Sequence, residues 1–201
     1  MTTDATAGGP EAPVGRKPRK IFLVVGVVLA AALGVGLFTS LGTTPGTGAP
    51  HAGDMVPSFS APRLNGPGDV AVPGDGGGNG RPAVLLFFGN WCAVCHTEIP
   101  SLASAVRRQR AAGGALAQVR IIGVDSEDTT ADGRAFVQHS GVTFPVAHDP
   151  DIAITSGAFF FTGDPYAVFV NADGTINDII AGPLSVARFT AAEEKLIPSG
   201  N

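Results

Sequence analysis

At 201 residues, with 28 glycines, 16 prolines and 44% hydrophobic residues, the chain has room for one ordinary domain plus appendages. Charged residues make up 15% and the formal net charge is -4, so there is no basic surface of the kind nucleic acid requires, and nucleic acid is not an expected partner. Residues 1–15 lack apolar periodicity and read as a disordered tail. The basic cluster RKPRK, Arg16–Lys20, completes a segment 1–20 expected in the cytoplasm. Residues 21–41 are apolar, and no Asp, Glu, Lys or Arg occurs between Lys20 and Asp54. As a helix this run spans a bilayer core of ~30 Å, and the positive flank predicts a single-pass anchor with the bulk of the chain outside. A buried core helix and a cleaved signal peptide are the competing readings. A secretory apolar region is usually ~7 to 15 residues, so the longer run favours an uncleaved anchor, with a cut near Thr47–Ala49 as the alternative. No cysteine adjoins the segment for lipid attachment. Residues 42–53, rich in Gly, Pro and Thr, read as a flexible linker, and residues 54–201 as the folded domain.

Within that domain DVAV, Asp69–Val72, alternates as a short strand, and PGDGGGNG after it reads as a surface loop lacking the Lys-Ser/Thr ending of a phosphate-binding loop. PAVLLFF, Pro82–Phe88, is a continuous apolar run, as in a strand buried on both faces. A helix is expected to start at Cys92, to bury Ile99, Leu102, Ala103 and Val106, to kink at Pro100 and to end at Gly113–Gly114. QVRIIGV, Gln118–Val124, is the next strand; Thr130–Gly141 is a second helix; a helical turn follows from Asp151. Tyr166–Ile180 reads as a hairpin around Asn171–Gly174, and Ser185–Leu196 as the last helix. The order predicts an α/β fold in which a central mixed β-sheet is flanked by helices.

WCAVCH, Trp91–His96, admits two chemistries. C-x-x-C-H is the attachment signature of a c-type haem, and W-C-x-x-C at a strand-to-helix junction is a dithiol redox site. A haem needs a second axial ligand, and the methionines, Met1 and Met55, both lie upstream. His51 falls in the linker, His139 near a helix end and His148 in what reads as a polar turn, so none is an evident iron ligand. The dithiol reading places Cys92 at a helix N-terminus, where unpaired N–H groups and the macrodipole favour a thiolate. Cys95, one turn on, is positioned to resolve a mixed disulfide. His96, four residues from Cys92 on the same helix face, either supports that thiolate or is a surface residue. Neither metal nor organic cofactor is implied. Both cysteines fall on the exported side, where disulfides persist.

The chain resembles the thioredoxin superfamily, and within it the membrane-anchored extracytoplasmic redoxins of the TlpA and ResA type. The resemblance is carried by MVPSFSAPRLNG (55–66), the strand plus GNWCAVCHTEIP, GVDSED (123–128), FPVAHDPD (144–151), GDPYAVFVNADGTI (163–176) and AGPLS (181–185). It implies a thioredoxin-like fold and a thiol-disulfide oxidoreductase activity, with Cys92 attacking, Cys95 resolving and Pro165 as a cis-proline beside them. Trp91, Asp164 and Pro165 then face the substrate, the backbone of Asp164 pairing with it by strand addition. The chain departs from the superfamily pattern in three places: Leu86 stands where a buried aspartate is usual, Asp164 precedes the proline, and Ala93–Val94 lies between the cysteines. His96, Glu98 and Asp164 are the candidates for tuning the thiols. The implied partners are exported protein disulfides or thiols, apocytochrome c among them, and a membrane redox partner. Reductant and oxidant both remain open. The single-thiolate setting of peroxiredoxins is absent, since LLFFGNW precedes Cys92.

Overall fold

The computed structural model describes residues 48–72 and 80–197. The expected tail, the apolar segment 21–41, residues 42–47 of the linker and the glycine-rich loop at 73–79 lie outside the described residues. Among the described residues no helix is long and apolar enough to cross a membrane.

Among the described residues the elements are β1 Phe59–Pro62, β2 Asp69–Val72, β3 Ala83–Phe88, α1 Cys95–Ala112, β4 Arg120–Ser126, α2 Thr130–His139, β5 Val146–Asp149, β6 Tyr166–Val170, β7 Ile176–Ala181 and α3 Val186–Glu194. The main sheet has the order β5-β4-β3-β6-β7, with β3, β4 and β5 parallel and β6 and β7 antiparallel. The expected mixed sheet is therefore present, together with a separate antiparallel pair, β1 with β2, of which the sequence marked only the second strand.

β3 is buried at every position because both of its faces are covered. Val84, Leu86 and Phe88 point into a core shared with α1, α2 and α3, including Ile99, Phe136 and Phe189. Ala83, Leu85 and Phe87 point the other way, into a core closed by Val70, Val72, Phe159 and Phe161. The period of two along a strand makes one apolar run serve two cores. The second core is aromatic: the Phe87 ring meets Phe159 at 4.9 Å and Phe161 at 5.1 Å, edge-on, and Phe161 stacks on Tyr166 at 3.9 Å.

Several boundaries differ from those expected. α1 begins at Cys95, not at Cys92; two successive turns precede it, one closed by the Cys92 N–H donating to the Gly89 carbonyl at 3.1 Å and the next by the Cys95 N–H donating to the Cys92 carbonyl at 3.0 Å. Its end is as expected, with Gly113 at φ 71 supplying the left-handed termination that a Cβ would oppose. β4 runs to Ser126, two residues beyond the expected end, because β5 extends the parallel ladder to Ser126 and Asp149. The turn after Asp151 is a π-helix, Ala153–Ala158, held by the Asp149 carboxylate, which accepts from the N–H groups of Ile154 (3.0 Å) and Thr155 (2.8 Å). His148, read as part of a polar turn, lies instead within β5.

Candidate active site

The site forms at the carboxyl ends of the parallel strands, and the register shows why residues far apart in sequence converge there. Phe88 is level with Asp125, Asp125 with His148, Ser126 with Asp149, and Phe87 with Tyr166. The segment after Phe88, the segment after Ser126 and the segment before Tyr166 therefore share one end of the sheet.

Cys92 and Cys95 are joined as a disulfide, S–S 2.11 Å, with Cα atoms 5.3 Å apart. The pair sits between the end of β3 and the start of α1, the strand-to-helix junction that the dithiol reading requires. Cys92 is 4% exposed and Cys95 fully buried. The first backbone N–H of α1, on Cys95, donates to the Cys92 carbonyl (3.0 Å) and lies 3.3 Å from Cys92 Sγ. Although α1 starts late, its N-terminal dipole still points at the Cys92 sulfur.

Trp91 stands beside the disulfide, half exposed at 49%, with Nε1 donating to the Ser126 carbonyl at 2.9 Å. Gly89 makes that pose possible: a Cβ there would lie 2.4 Å from Trp91 Nε1 and 2.8 Å from the Ser126 carbonyl oxygen. The Asp164–Pro165 bond is cis, as the resemblance implied, and Pro165 is buried immediately before β6. His96 is exposed; Nε2 donates to the Asn90 carbonyl at 2.7 Å and the ring meets Phe136 edge-on at 5.0 Å. Both contacts anchor the turn before α1. Glu98 accepts from the Leu184 N–H at 2.9 Å through Oε1, while its Oε2 is buried without a protein partner.

Around this end gather acids that local sequence signals did not connect. Asp125 is fully buried, and Oδ2 lies 3.1 Å from His148 Nδ1, whose other nitrogen is 3.0 Å from the Thr130 hydroxyl. A Cβ on Gly133 would sit 2.4 Å from the same carboxylate oxygen, so α2 packs its bare backbone against Asp125. Burial first, then the neighbouring Asp128, Asp164 and Asp149, push the Asp125 carboxyl up to about 9. Asp128 itself accepts from the Asn90 N–H at 2.6 Å. Asp164 is pushed up to about 7, chiefly by burial, with Asp128, Asp149 and Glu127 adding to the shift. The Ser126 hydroxyl softens it, but that hydroxyl is engaged with Thr155 at 2.8 Å, and neither Asp164 oxygen has a hydrogen bond of normal geometry. The signal that could have located these acids is their position near strand ends: Asp125 is the next-to-last residue of β4 and Asp149 the last of β5, at the edge where ligands approach parallel sheets. Among the described residues no group of His, Cys, Asp and Glu is arranged to hold a metal ion.

Three comparisons bear on this arrangement. Residues 52–179 match the AhpC/TSA family. The thiol-disulfide oxidoreductase ResA of Bacillus subtilis (strain 168) is 24% identical over 176 residues, 85% of this chain and 89% of that protein. The soluble secreted antigen MPT53 of Mycobacterium tuberculosis (strain ATCC 25618 / H37Rv) is 30% identical over 149 residues, 74% of this chain and 77% of that one. Among solved structures, MTB dsbF in its mixed oxidized and reduced forms superposes with a TM-score of 0.58 at 28% identity, over 69% of this chain and 94% of its own. With the mixed sheet and its helices, these similarities make the fold thioredoxin-like.

Proposed function

The chain belongs to the AhpC/TSA family, among its ResA-like members of the thioredoxin superfamily, and is a thiol-disulfide oxidoreductase; from that premise we propose that it acts outside the cytoplasm as a reductant of exported protein disulfides. The observation that carries the assignment of roles is the disulfide at the sheet's carboxyl end, in which Cys92 keeps a sliver of exposure and Cys95 has none. In the reduced protein the Cys92 thiolate attacks a substrate disulfide, forming a mixed disulfide and expelling one substrate thiolate, which takes a proton. Cys95 loses its proton and attacks the Cys92 sulfur; the Cys92–Cys95 bond forms and the second substrate thiol leaves. The substrate gains two electrons and two protons, and a membrane dithiol donor returns the site to its reduced form. Trp91 and the Asp164–Pro165 segment flank the incoming strand, with the Asp164 backbone available for strand addition.

The acids favour the reducing direction. Strong oxidants of this superfamily hold their reduced form as a stabilised thiolate. Here Asp128 and Asp149 act on Asp164 at the end of the sheet that also carries the disulfide, and negative charge reaching Cys92 from there opposes its thiolate. His96, bonded to a carbonyl, and Glu98, bonded to the Leu184 N–H, act on the turn and on α1 rather than as free charges. The disulfide of apocytochrome c, reduced to its two thiols, is the substrate class that the likeness to ResA supports. An extracytoplasmic location is supported by the secreted relative MPT53 and by the apolar run 21–41 behind RKPRK, read as the anchor of a domain that begins near residue 54.

The test is the equilibrium reduction potential against a thiol buffer, with Trp91 fluorescence as the readout. A value of about -250 mV or lower supports the reductant, and one near about -120 mV reverses the direction to disulfide donation. No two-electron transition would remove the dithiol mechanism.

A further inference from the structure

The two ends of the sheet carry different titratable groups, acids at one and arginines at the other. Asp125, Asp128, Asp149 and Asp164 gather at the carboxyl ends of β4, β5 and their neighbours. The opposite end, where β3 and β4 begin, carries Arg81 and Arg120, the latter level with Ala83. Arg110, in the last turn of α1, joins them. These three arginines line a cavity of about 360 Å³ whose apolar wall includes Val106, Ile121 and Phe144. That volume is in the range of small-ligand sites.

The cations crowd one another. Burial first, and then the charge of Arg81, lower the pKa values of both Arg110 and Arg120 from the ordinary arginine value, although guanidinium remains charged at any physiological pH. Arg81 gives Nε and Nη2 to the Gln118 carbonyl, and Arg110 gives Nη1 and Nη2 to the carbonyls of Ala117 and Val119. These are neutral acceptors, which orient the guanidinium groups without cancelling their charge. Glu193 attracts Arg110 but is fully buried and pushed up to about 7, so it offsets the cluster incompletely. Among the described residues, Asp54 is engaged with the His51 N–H and Asp173 with Thr175.

Register also places the N-terminal side of the domain here. Ala83 is level with Val170, Val170 with Ile176, and Met55 bridges Thr175, while the Gly53 N–H donates to the Ile176 carbonyl. The chain thus joins the domain at the arginine end, opposite the disulfide. We propose that the arginine-lined cavity binds the phosphate of an anionic lipid headgroup, seating this end of the domain on the membrane and turning the disulfide away from it. Guanidinium forks match phosphate oxygens, and the apolar wall suits the glycerol and first methylenes of an amphiphile better than a free ion. The seating role rests on the anchored, extracytoplasmic reading; the cavity itself does not.

The experiment uses the full chain in nanodiscs of phosphatidylcholine alone or mixed with phosphatidylglycerol, read by amide hydrogen exchange. Exchange is expected to slow across 116–121 and 142–146 only with phosphatidylglycerol, and to be unchanged at 91–95. Arg81→Gln should weaken the effect roughly fivefold, the contribution of one cation near an anionic surface, while leaving dithiol exchange intact. Retention of the chain in the neutral discs reports the anchor separately, so a failed anchor is not confused with a failed cavity. Equal exchange in both lipids, or Arg81→Gln behaving as the parent, overturns the proposal. Protection by inorganic phosphate without any lipid effect overturns the lipid assignment, and arginines that only cap carbonyls give no protection under any condition.

Discussion

Replacing Asp164 by asparagine should stabilise the oxidised domain at alkaline pH and do little in acid. The carboxyl has an ordinary value of 3.8 and is pushed up to about 7 in the fold, first by burial, with both oxygens lacking a regular hydrogen bond. A raised carboxyl pKa means that folding favours the protonated form. The penalty is absent below the unfolded pKa, grows as pH rises from about 4 to 7, and is constant above that. At about 1.36 kcal/mol per pKa unit, the 3.8-to-7 shift bounds the penalty at about 4 kcal/mol at pH 8 and about 1 kcal/mol at pH 4.5. Because Asp164 is only half-buried as a residue, solvent screening reduces the upper figure to about 2–3 kcal/mol. Asparagine keeps the shape and removes the charge. Urea unfolding of residues 46–201, the compact unit that holds the disulfide, at pH 4.5, 6 and 8 should show parent and variant nearly coincident in acid and diverging as pH rises. A stability difference that is the same at pH 4.5 and 8 would refute the account, because a packing effect has no reason to follow the titration of this group.

Glu193→Gln should behave similarly: Glu193 is fully buried and pushed up from 4.5 to about 7, so the variant gains stability between about pH 5 and 8, less the cost of an unsatisfied amide; denaturation midpoints against pH check it, and a gain already complete at pH 4 would contradict it. Gly89→Ala should cost about 1–3 kcal/mol and move Trp91, since the new Cβ falls on the indole and on the Ser126 carbonyl; an unchanged Trp91 emission spectrum counts against that geometry. Cys95→Ser should trap substrates on Cys92 as adducts visible on non-reducing gels, whereas Cys92→Ser should trap few, because Cys95 is fully buried; adducts in the reverse pattern would exchange the two roles.

Much of the architecture is legible in local pattern. The unbroken apolar run of β3, the Asn171–Gly174 turn between β6 and β7, and the glycines after α1 each state a conformation through neighbours in sequence. The W-C-x-x-C spacing likewise locates the two sulfurs within a few residues, and the resemblance adds the proline that turns out to be cis. The same local reading put the start of α1 three residues early, because the N–H and carbonyl geometry of Gly89 to Cys95 makes a turn of its own.

Chain sequence alone determined the dithiol chemistry and the mixed sheet, since both are written in spacings of two, three and four residues. Only the tertiary structure decided the electrostatics. Asp125, Asp149 and Asp164 are separated by up to 39 positions, and they meet because the carboxyl ends of parallel β4 and β5 and the amino end of antiparallel β6 fall at one edge. The three arginines at the other edge meet for the same reason. Charge interactions act through distance and burial rather than sequence order, so a residue such as His148 reads as surface until β5 is laid beside β4 and its ring comes to rest on Asp125.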